Sequence, residues 1–498
     1  MNKKAALLSF IGGFLSLSIE VIYIRIFGFI THSLPQAFSL TLALFLFGIA
    51  IGSLIGKQLC KQELVSIPNI GHVFFIANLF DIVALCYFCL GNPSFWNAAL
   101  CMIITAMLRG IVFPMVHHLG TEKVKTGAAI SNVYFANVLG CTIAPIFVGF
   151  YLLDIFNTQQ MYLLIITMTF VVIFFCVSKI WIKILSAIIG IITLVSIFTL
   201  PETMIHNLGR YQGMTLETLI ENKNGFIQVY DQEKTHDKFV FGNNVYDGKL
   251  NTSLIKDNNM VERAYLLPVI APKAQNILVV GLSTGSWVEI LAAIPTLKHM
   301  TVVEINPAYV DFAKFYPAMN HLLKDKRITI IADDGRRWLA RHKDLKFDYI
   351  LMNTTWYWRN YSTNLLSKEF LTLAKEHLNP NGFLSYNTTW FMDAFYTAKH
   401  VFPEVYQYEN FAIASLKPIQ PLTREKIETA LSKMVWPYNQ QPVFKDDEEL
   451  KIGTNKIFEH KLIPYDQIDF SRIHRPLEII TDHNMIPEYK YGGIGNQQ

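Results

Sequence analysis

Residues 201–498 contain no cysteine, because all six (Cys60, Cys86, Cys89, Cys101, Cys141, Cys176) lie in the first 200 positions. That half therefore has no thiol to oxidise or to ligate a metal. Cys86 and Cys89 form a C-x-x-C, but inside an apolar run without a nearby histidine or second pair, so they read as packing and no metal is expected. Charge is scarce in the first 200 residues, with ten Lys/Arg and five Asp/Glu. The remainder is rich in charge but balanced, 33 basic against 34 acidic residues, so it lacks the positive excess that neutralises phosphates and no nucleic-acid partner is expected. A wholly soluble protein, a disordered chain and a membrane bundle without an appended globular domain are all excluded.

What the first half has is apolar runs. Seven occur near 5–30, 38–56, 70–90, 95–119, 127–152, 160–178 and 184–200, each near the roughly 17–25 residues a helix needs to cross a bilayer. The first lacks a small-residue cleavage site and runs on into further spans, so an uncleaved anchor is expected. Glu20, Arg25, Asp81 and Arg109 are costly in hydrocarbon and should face the bundle interior, one another or the interface. The loop lysines fall on alternate sides: Lys3 and Lys4, Lys57 and Lys61, Lys123 and Lys125, and Lys179 and Lys183, with none in the intervening loops. This bias places the N-terminus in the cytoplasm of a multi-pass inner-membrane protein, and seven crossings then send residue 201 outward.

The second half reads as α/β. Short alternating stretches at 226–231 and 238–242, a turn at Asn243 and Asn244, and V-Y-D-G from 245 predict a small antiparallel sheet, followed by a helix at about 257–270. Apolar runs at 277–280, 300–304, 328–332, 349–352 and 383–386, separated by helical segments, predict a parallel, doubly wound, Rossmann-like sheet. The expected domains are a transmembrane region 1–200, a linker and β subdomain 201–256, a nucleoside-binding domain 257–420 and an extension 421–498.

In such a sheet ligands bind beyond the carboxyl ends of the strands. The first strand ends in G-L-S-T-G-S, where Gly281, Ser283, Thr284 and Gly285 let backbone approach a ligand. The second ends in Glu304, a carboxylate placed to accept ribose hydroxyls, and the third in Asp333 and Asp334, suited to accept from an adenine amino group, although any one of these acids could cap a helix instead. The glycine turn and the acids after the next two strands, in order on three successive strand ends, point to a bound adenosine moiety.

The motifs I-L-V-V-G-L-S-T-G-S, T-V-V-E-I-N-P, A-D-D-G-R-R-W-L, F-D-Y-I-L-M-N and L-L-S-K-E-F-L-x-L-A-K-E-H-L-N-P-N-G resemble those of the spermidine/spermine synthase family. G-A-A-I-S-N-V-Y-F-A-N-V-L-G resembles the membrane segment fused to bacterial membrane-bound members. The resemblance implies aminopropyl transfer to an amine from decarboxylated S-adenosylmethionine, with S-adenosylmethionine itself as the alternative donor, Glu304 on the ribose and Asp334 on the adenine. It departs where the family's catalytic D-x-x-D-P should stand. Asn353, Thr354, Thr355, Trp356 and Tyr357 occupy that place, and an amide takes no proton at neutral pH. Thr284 replaces an acid, Asn251 a glutamine, and Val261 to Arg263 the family's Tyr-His-Glu, so putrescine is a doubtful acceptor.

Asn353-Thr354-Thr355 and Asn387-Thr388-Thr389 end neighbouring strands, and between them W-Y-W-R-N-Y (356–361) supplies aromatic walls suited to a sulfonium or amine, or an amphipathic loop packed against the membrane or the β subdomain. Asn353, Thr354, Tyr357 and Asn387 are the expected reaction-side residues. The partners expected are the bilayer, a nucleoside donor and an amine-like acceptor, with a homo-oligomeric state that no residue pattern derives. A methyltransferase or lyase on the same fold, and a nucleoside-binding sensor or transporter without turnover, are the competing readings. Sulfonium donors are made in the cytoplasm, which places the catalytic domain there against the loop charges.

Overall fold

A computed structural model describes residues 3–121, 127–256, 259–353 and 356–492. Lys123 and Lys125, counted above for orientation, and Thr354 and Thr355 lie outside the described residues. The chain divides into two compact units, Met1–Leu216 with Glu221–Phe226, and Glu217–Ile220 with Ile227–Gln498.

The first unit contains seven long helices: α1 (Lys3–Ile30), α2 (Gln36–Lys61), α3 (Ile67–Leu90), α4 (Phe95–Thr121), α5 (Gly127–Phe150), α6 (Thr158–Cys176) and α7 (Ile180–Thr199). Among the described residues, these seven helices are long and apolar enough to cross a membrane. Helices satisfy their own backbone groups, so their association rests on close packing and on a few polar contacts. Gly48, Gly52 and Gly56 form one stripe on α2, and a Cβ on any of them would strike the Ile103, Met107 or Ile111 carbonyl of α4. Asp81 and Arg109 pair at 2.5 Å with both side chains buried, and Thr105 donates to Asp81 at 3.0 Å. Arg25 pairs with Glu221 at 2.9 Å and donates to Thr158 at 3.1 Å. Glu20 is buried, and among the described residues it has no ion-pair partner.

The described residues form two sheets. The smaller has the order β1 (Met214–Asn222), β2 (Gly225–Gln232), β3 (Lys238–Gly242), β4 (Val245–Lys249). Its last three strands sit where the alternating stretches predict them, whereas β1 was not legible. The following helix runs only over Glu262–Ile270 rather than from about 257. Asn251 accepts from the Ser253 amide at 2.9 Å, a local turn that competes with helix, and 257–258 lie outside the described residues.

The larger sheet is built from β5 (Asn276–Val280), β6 (His299–Glu304), β7 (Ile328–Ala332), β8 (Phe347–Met352), β9 (Leu378–Asn387), β10 (Glu404–Tyr408), β11 (Phe411–Ser415) and β12 (Ile463–Pro464). Their order is β12-β10-β11-β9-β8-β5-β6-β7. The five expected strands β5 to β9 pair in parallel, but the sheet is mixed, because β10 and β11 pair antiparallel with each other and β11 with β9. The physical reason is the short turn after Tyr408, with Glu409 at φ 53°, which has no room for the long crossover that a parallel pair requires. Strand β5 lies between β8 and β6, so the connections diverge there and open a crevice at the carboxyl ends.

Candidate functional site

The crevice begins at Gly281, at φ +93°, whose amide donates to the Val303 carbonyl at 2.9 Å. A Cβ here would lie 3.1 Å from the Asn353 carbonyl oxygen, and the Asn353 amide donates to Val280 at 3.1 Å. Gly281 and Asn353 are thus brought together across the two strands that flank the switch point. Ser283, also at positive φ, donates through Oγ to the Asp247 carbonyl at 2.8 Å. Thr284 Oγ1 accepts from the Ser286 amide at 3.2 Å, and Gly285, at φ +77°, caps the helix Ser286–Ala292.

Glu304 ends β6 and is 4% exposed. Its Oε2 accepts from the Leu282 amide at 2.7 Å and its Oε1 from the Asn306 amide at 2.8 Å, which fixes the carboxylate against the glycine turn. Burial pushes its pKa up to about 7, opposed by these backbone amides and reinforced by the charge of Asp247. Asp247, in the edge strand β4 of the small sheet, accepts from the Tyr309 hydroxyl at 2.6 Å. Burial, followed by Asp247 and Glu304, holds that phenol well above its ordinary range, so it stays a donor. Sequence reasoning did not single out Asp247 and Tyr309. Their signal was the V-Y-D-G that makes up most of β4 and the tyrosine five positions after Glu304.

The two aspartates after β7 play different parts. The Asp333 carboxylate is held by Arg337 at 2.6 Å and by Arg341, and these contacts, that to Arg337 foremost, keep its pKa below the usual range. Asp334 caps the helix Gly335–Arg341 through Oδ1, which accepts from the Arg337 amide at 2.7 Å.

On the other side of the crevice, the Tyr357 amide donates to Thr389 Oγ1 at 3.0 Å, and the Thr389 amide donates to Asn387 Oδ1 at 2.9 Å. Thr389 therefore joins Tyr357 to Asn387, while Thr354 lies outside the described residues. The Tyr357 ring stacks on Phe391 with centroids 4.5 Å apart and planes within 8°. Thr389 and Trp390 have φ 48° and 65°, consecutive left-handed conformations of side-chain-bearing residues, a strain that concentrates at functional mouths. The aromatic segment packs on the small sheet: Trp356 Nε1 donates to the Tyr246 carbonyl at 3.3 Å and Arg359 to the Gly242 carbonyl at 3.0 Å. In the segment where the family's Tyr-His-Glu was sought, Arg263 is buried over Trp287 and Phe411 and donates to Asn410 Oδ1 at 2.7 Å.

Residues 266–440 match the model of the spermine/spermidine synthase domain. The chain is 31% identical over 118 residues to a polyamine aminopropyltransferase of Agathobacter rectalis, covering 24% of this chain and 41% of that protein. It is 30% identical over 130 residues to a polyamine aminopropyltransferase of Buchnera aphidicola subsp. Acyrthosiphon pisum, covering 25% and 45%. It thus spans under half the length of these curated relatives. A crystal structure of spermidine synthase with the transition-state analogue AdoDATO is also similar, with TM-score 0.38 and 15% identity over 48% of this chain and 84% of that one. The second unit of this chain carries a spermine/spermidine synthase domain over residues 266–440.

Proposed function

We propose that the second unit is an alkyl transferase of the aminopropyltransferase type. It takes a sulfonium nucleoside, decarboxylated S-adenosylmethionine, and transfers its aminopropyl group to an amine or another nucleophile. The observation that carries this reading is Glu304, a buried carboxylate fixed by two backbone amides beside Gly281, with lone pairs left to accept the vicinal hydroxyls of a ribose. The nucleophile attacks the carbon bonded to sulfur, the C–S bond breaks with its electron pair on sulfur, and 5′-methylthioadenosine leaves while the acceptor loses a proton. Asn353 cannot take that proton, so rate enhancement rests on alignment, worth up to about 7–11 kcal/mol in favourable cases, with a base carried by the acceptor or solvent.

The seven apolar helices serve in this reading as a bilayer anchor, and the second unit faces the cytoplasm, where the donor is made. Product analysis with the purified full chain, a panel of amines and both S-adenosylmethionine and its decarboxylated form tests the chemistry. The expected result is 5′-methylthioadenosine in step with an alkylated acceptor. S-adenosylhomocysteine would assign methyl transfer, 5′-methylthioadenosine without an alkylated acceptor a lyase, and binding without turnover a sensor.

A further inference from the structure

The C-terminal segment of the second unit returns to the strand ends on the reaction side of the crevice. Glu488, in the short helix Ile486–Tyr489, is fully buried. Its Oε2 accepts from the Tyr361 amide at 3.0 Å and its Oε1 from the Thr363 amide at 2.9 Å, from 127 and 125 positions away in the chain. One carboxylate thus holds the end of the W-Y-W-R-N-Y segment by two charge-assisted hydrogen bonds. Tyr361 stands at φ 69°, a left-handed conformation that a side-chain-bearing residue keeps where its surroundings impose it. Its ring is 69% exposed, so the hold is on the backbone and not on the side chain. The same segment is fastened beside the next strand end. Arg475 pairs with the buried Asp393 at 2.5 Å, and the Glu478 amide donates to that carboxylate at 2.7 Å. Asp393 belongs to the helix Met392–Lys399, which follows Thr389, Trp390 and Phe391. The Tyr491 ring lies 6.0 Å from Phe391, on which Tyr357 stacks, and a Cβ on Gly492 would stand 2.8 Å from the Trp358 Cβ.

We propose that Glu488 is a positioning residue for the transfer reaction: through the Tyr361 and Thr363 amides it fixes the loop after β8, and with it Tyr357, against the loop after β9. The role rests on the transferase reading given above. Where Asn353 takes no proton, alignment carries the rate, and a misplacement on the order of 1 Å costs about a hundredfold. Glu304, by contrast, takes its amides from the turns after β5 and β6, so nucleoside binding is set apart from this brace. Loss of Glu488 therefore separates the two: the donor still binds, and the acceptor side loses its alignment.

The test compares the native full chain in lipid nanodiscs with Glu488→Ala, which removes both acceptors, and Glu488→Gln, which keeps the volume and one acceptor oxygen. Amide hydrogen exchange over 356–363, followed by mass spectrometry, should be at least about tenfold faster in Glu488→Ala and intermediate in Glu488→Gln, with β5 to β9 exchanging as in the native chain. Affinity for 5′-methylthioadenosine should stay within about twofold of native. With decarboxylated S-adenosylmethionine and a panel of amines, kcat should fall at least about tenfold in Glu488→Ala and recover in part in Glu488→Gln. Native exchange over 356–363 in Glu488→Ala overturns the proposal, as does native kcat despite faster exchange. Faster exchange throughout β5 to β9 with a matching loss of nucleoside affinity also overturns it, since that marks a merely structural residue. A native chain that releases no 5′-methylthioadenosine overturns the transferase reading itself, and the role of Glu488 in it, whatever the exchange shows.

Discussion

At the scale of single residues, Glu304 and Asn353 define what the site offers. The raised pKa of Glu304 means that the folded chain holds this proton more tightly than the unfolded one. Its stability contribution is full below the ordinary value of 4.5 and is lost as pH rises to about 7. Ligand hydroxyls reverse that preference by donating to the ionised form. Asn353 stands at the strand end where the resembling family carries an acid, and Asn353→Asp is expected not to restore putrescine alkylation. Thr284 is tied to the Ser286 amide, and Arg263 puts a cation in the segment where the family's Tyr-His-Glu was sought. Rapid spermidine formation by this single variant would show an intact diamine site and contradict the account. The residues that sequence reasoning missed, Asp247 and Tyr309, meet only because the small sheet closes on the helix Ala308–Phe315, a contact with no local periodicity to announce it.

At the scale of elements, the parallel strands were legible because buried strands read as continuous apolar runs between helical segments. Strands β10 and β11 were not, since E-V-Y-Q-Y and F-A-I-A-S are short and carry no glycine or proline between them to mark a hairpin. Of the site, the glycine turn and the acid after each strand were visible in the sequence, but which acid faces a ligand was not. Asp333 spends its carboxylate on Arg337 and Arg341, and Asp334 caps a helix, two uses that local sequence allows equally. The turn after β5 yields an element-scale prediction. Gly281→Ala forces a Cβ into a left-handed position at φ +93° and to 3.1 Å from the Asn353 carbonyl. It should cost roughly 1–2 kcal/mol of stability and weaken nucleoside binding at least about tenfold by displacing the strand end. Thermal unfolding together with calorimetry checks both, and native-like affinity would remove the turn from the site.

At the scale of the whole molecule, the open question is the side of the membrane. The seventh apolar run reads as the shortest in sequence, yet α7 extends over Ile180–Thr199, 20 residues or about 30 Å, enough to cross. With the loop lysines inside, seven crossings put the second unit outside, whereas supply of the donor puts it inside. Reporter fusions after residues 92, 181 and 205 separate these cases. The account expects a cytoplasmic signal at 205. The signals at 92 and 181 then tell whether the bundle is inverted or α7 fails to cross. Extracytoplasmic signals from the fusions at 92 and 205 alone would refute a cytoplasmic catalytic unit.

The claim on which the rest depends is that the crevice beside β5 binds an adenosine nucleoside through Glu304. Calorimetric titration of 5′-methylthioadenosine into the full chain tests it directly. The native protein should bind more tightly at about pH 8 than at about pH 6, because only the ionised carboxylate accepts both hydroxyls and its pKa stands near 7. Glu304→Gln should weaken binding by roughly 1–3 kcal/mol and lose that pH dependence. Equal affinity of the variant and the native protein at both pH values would contradict the account.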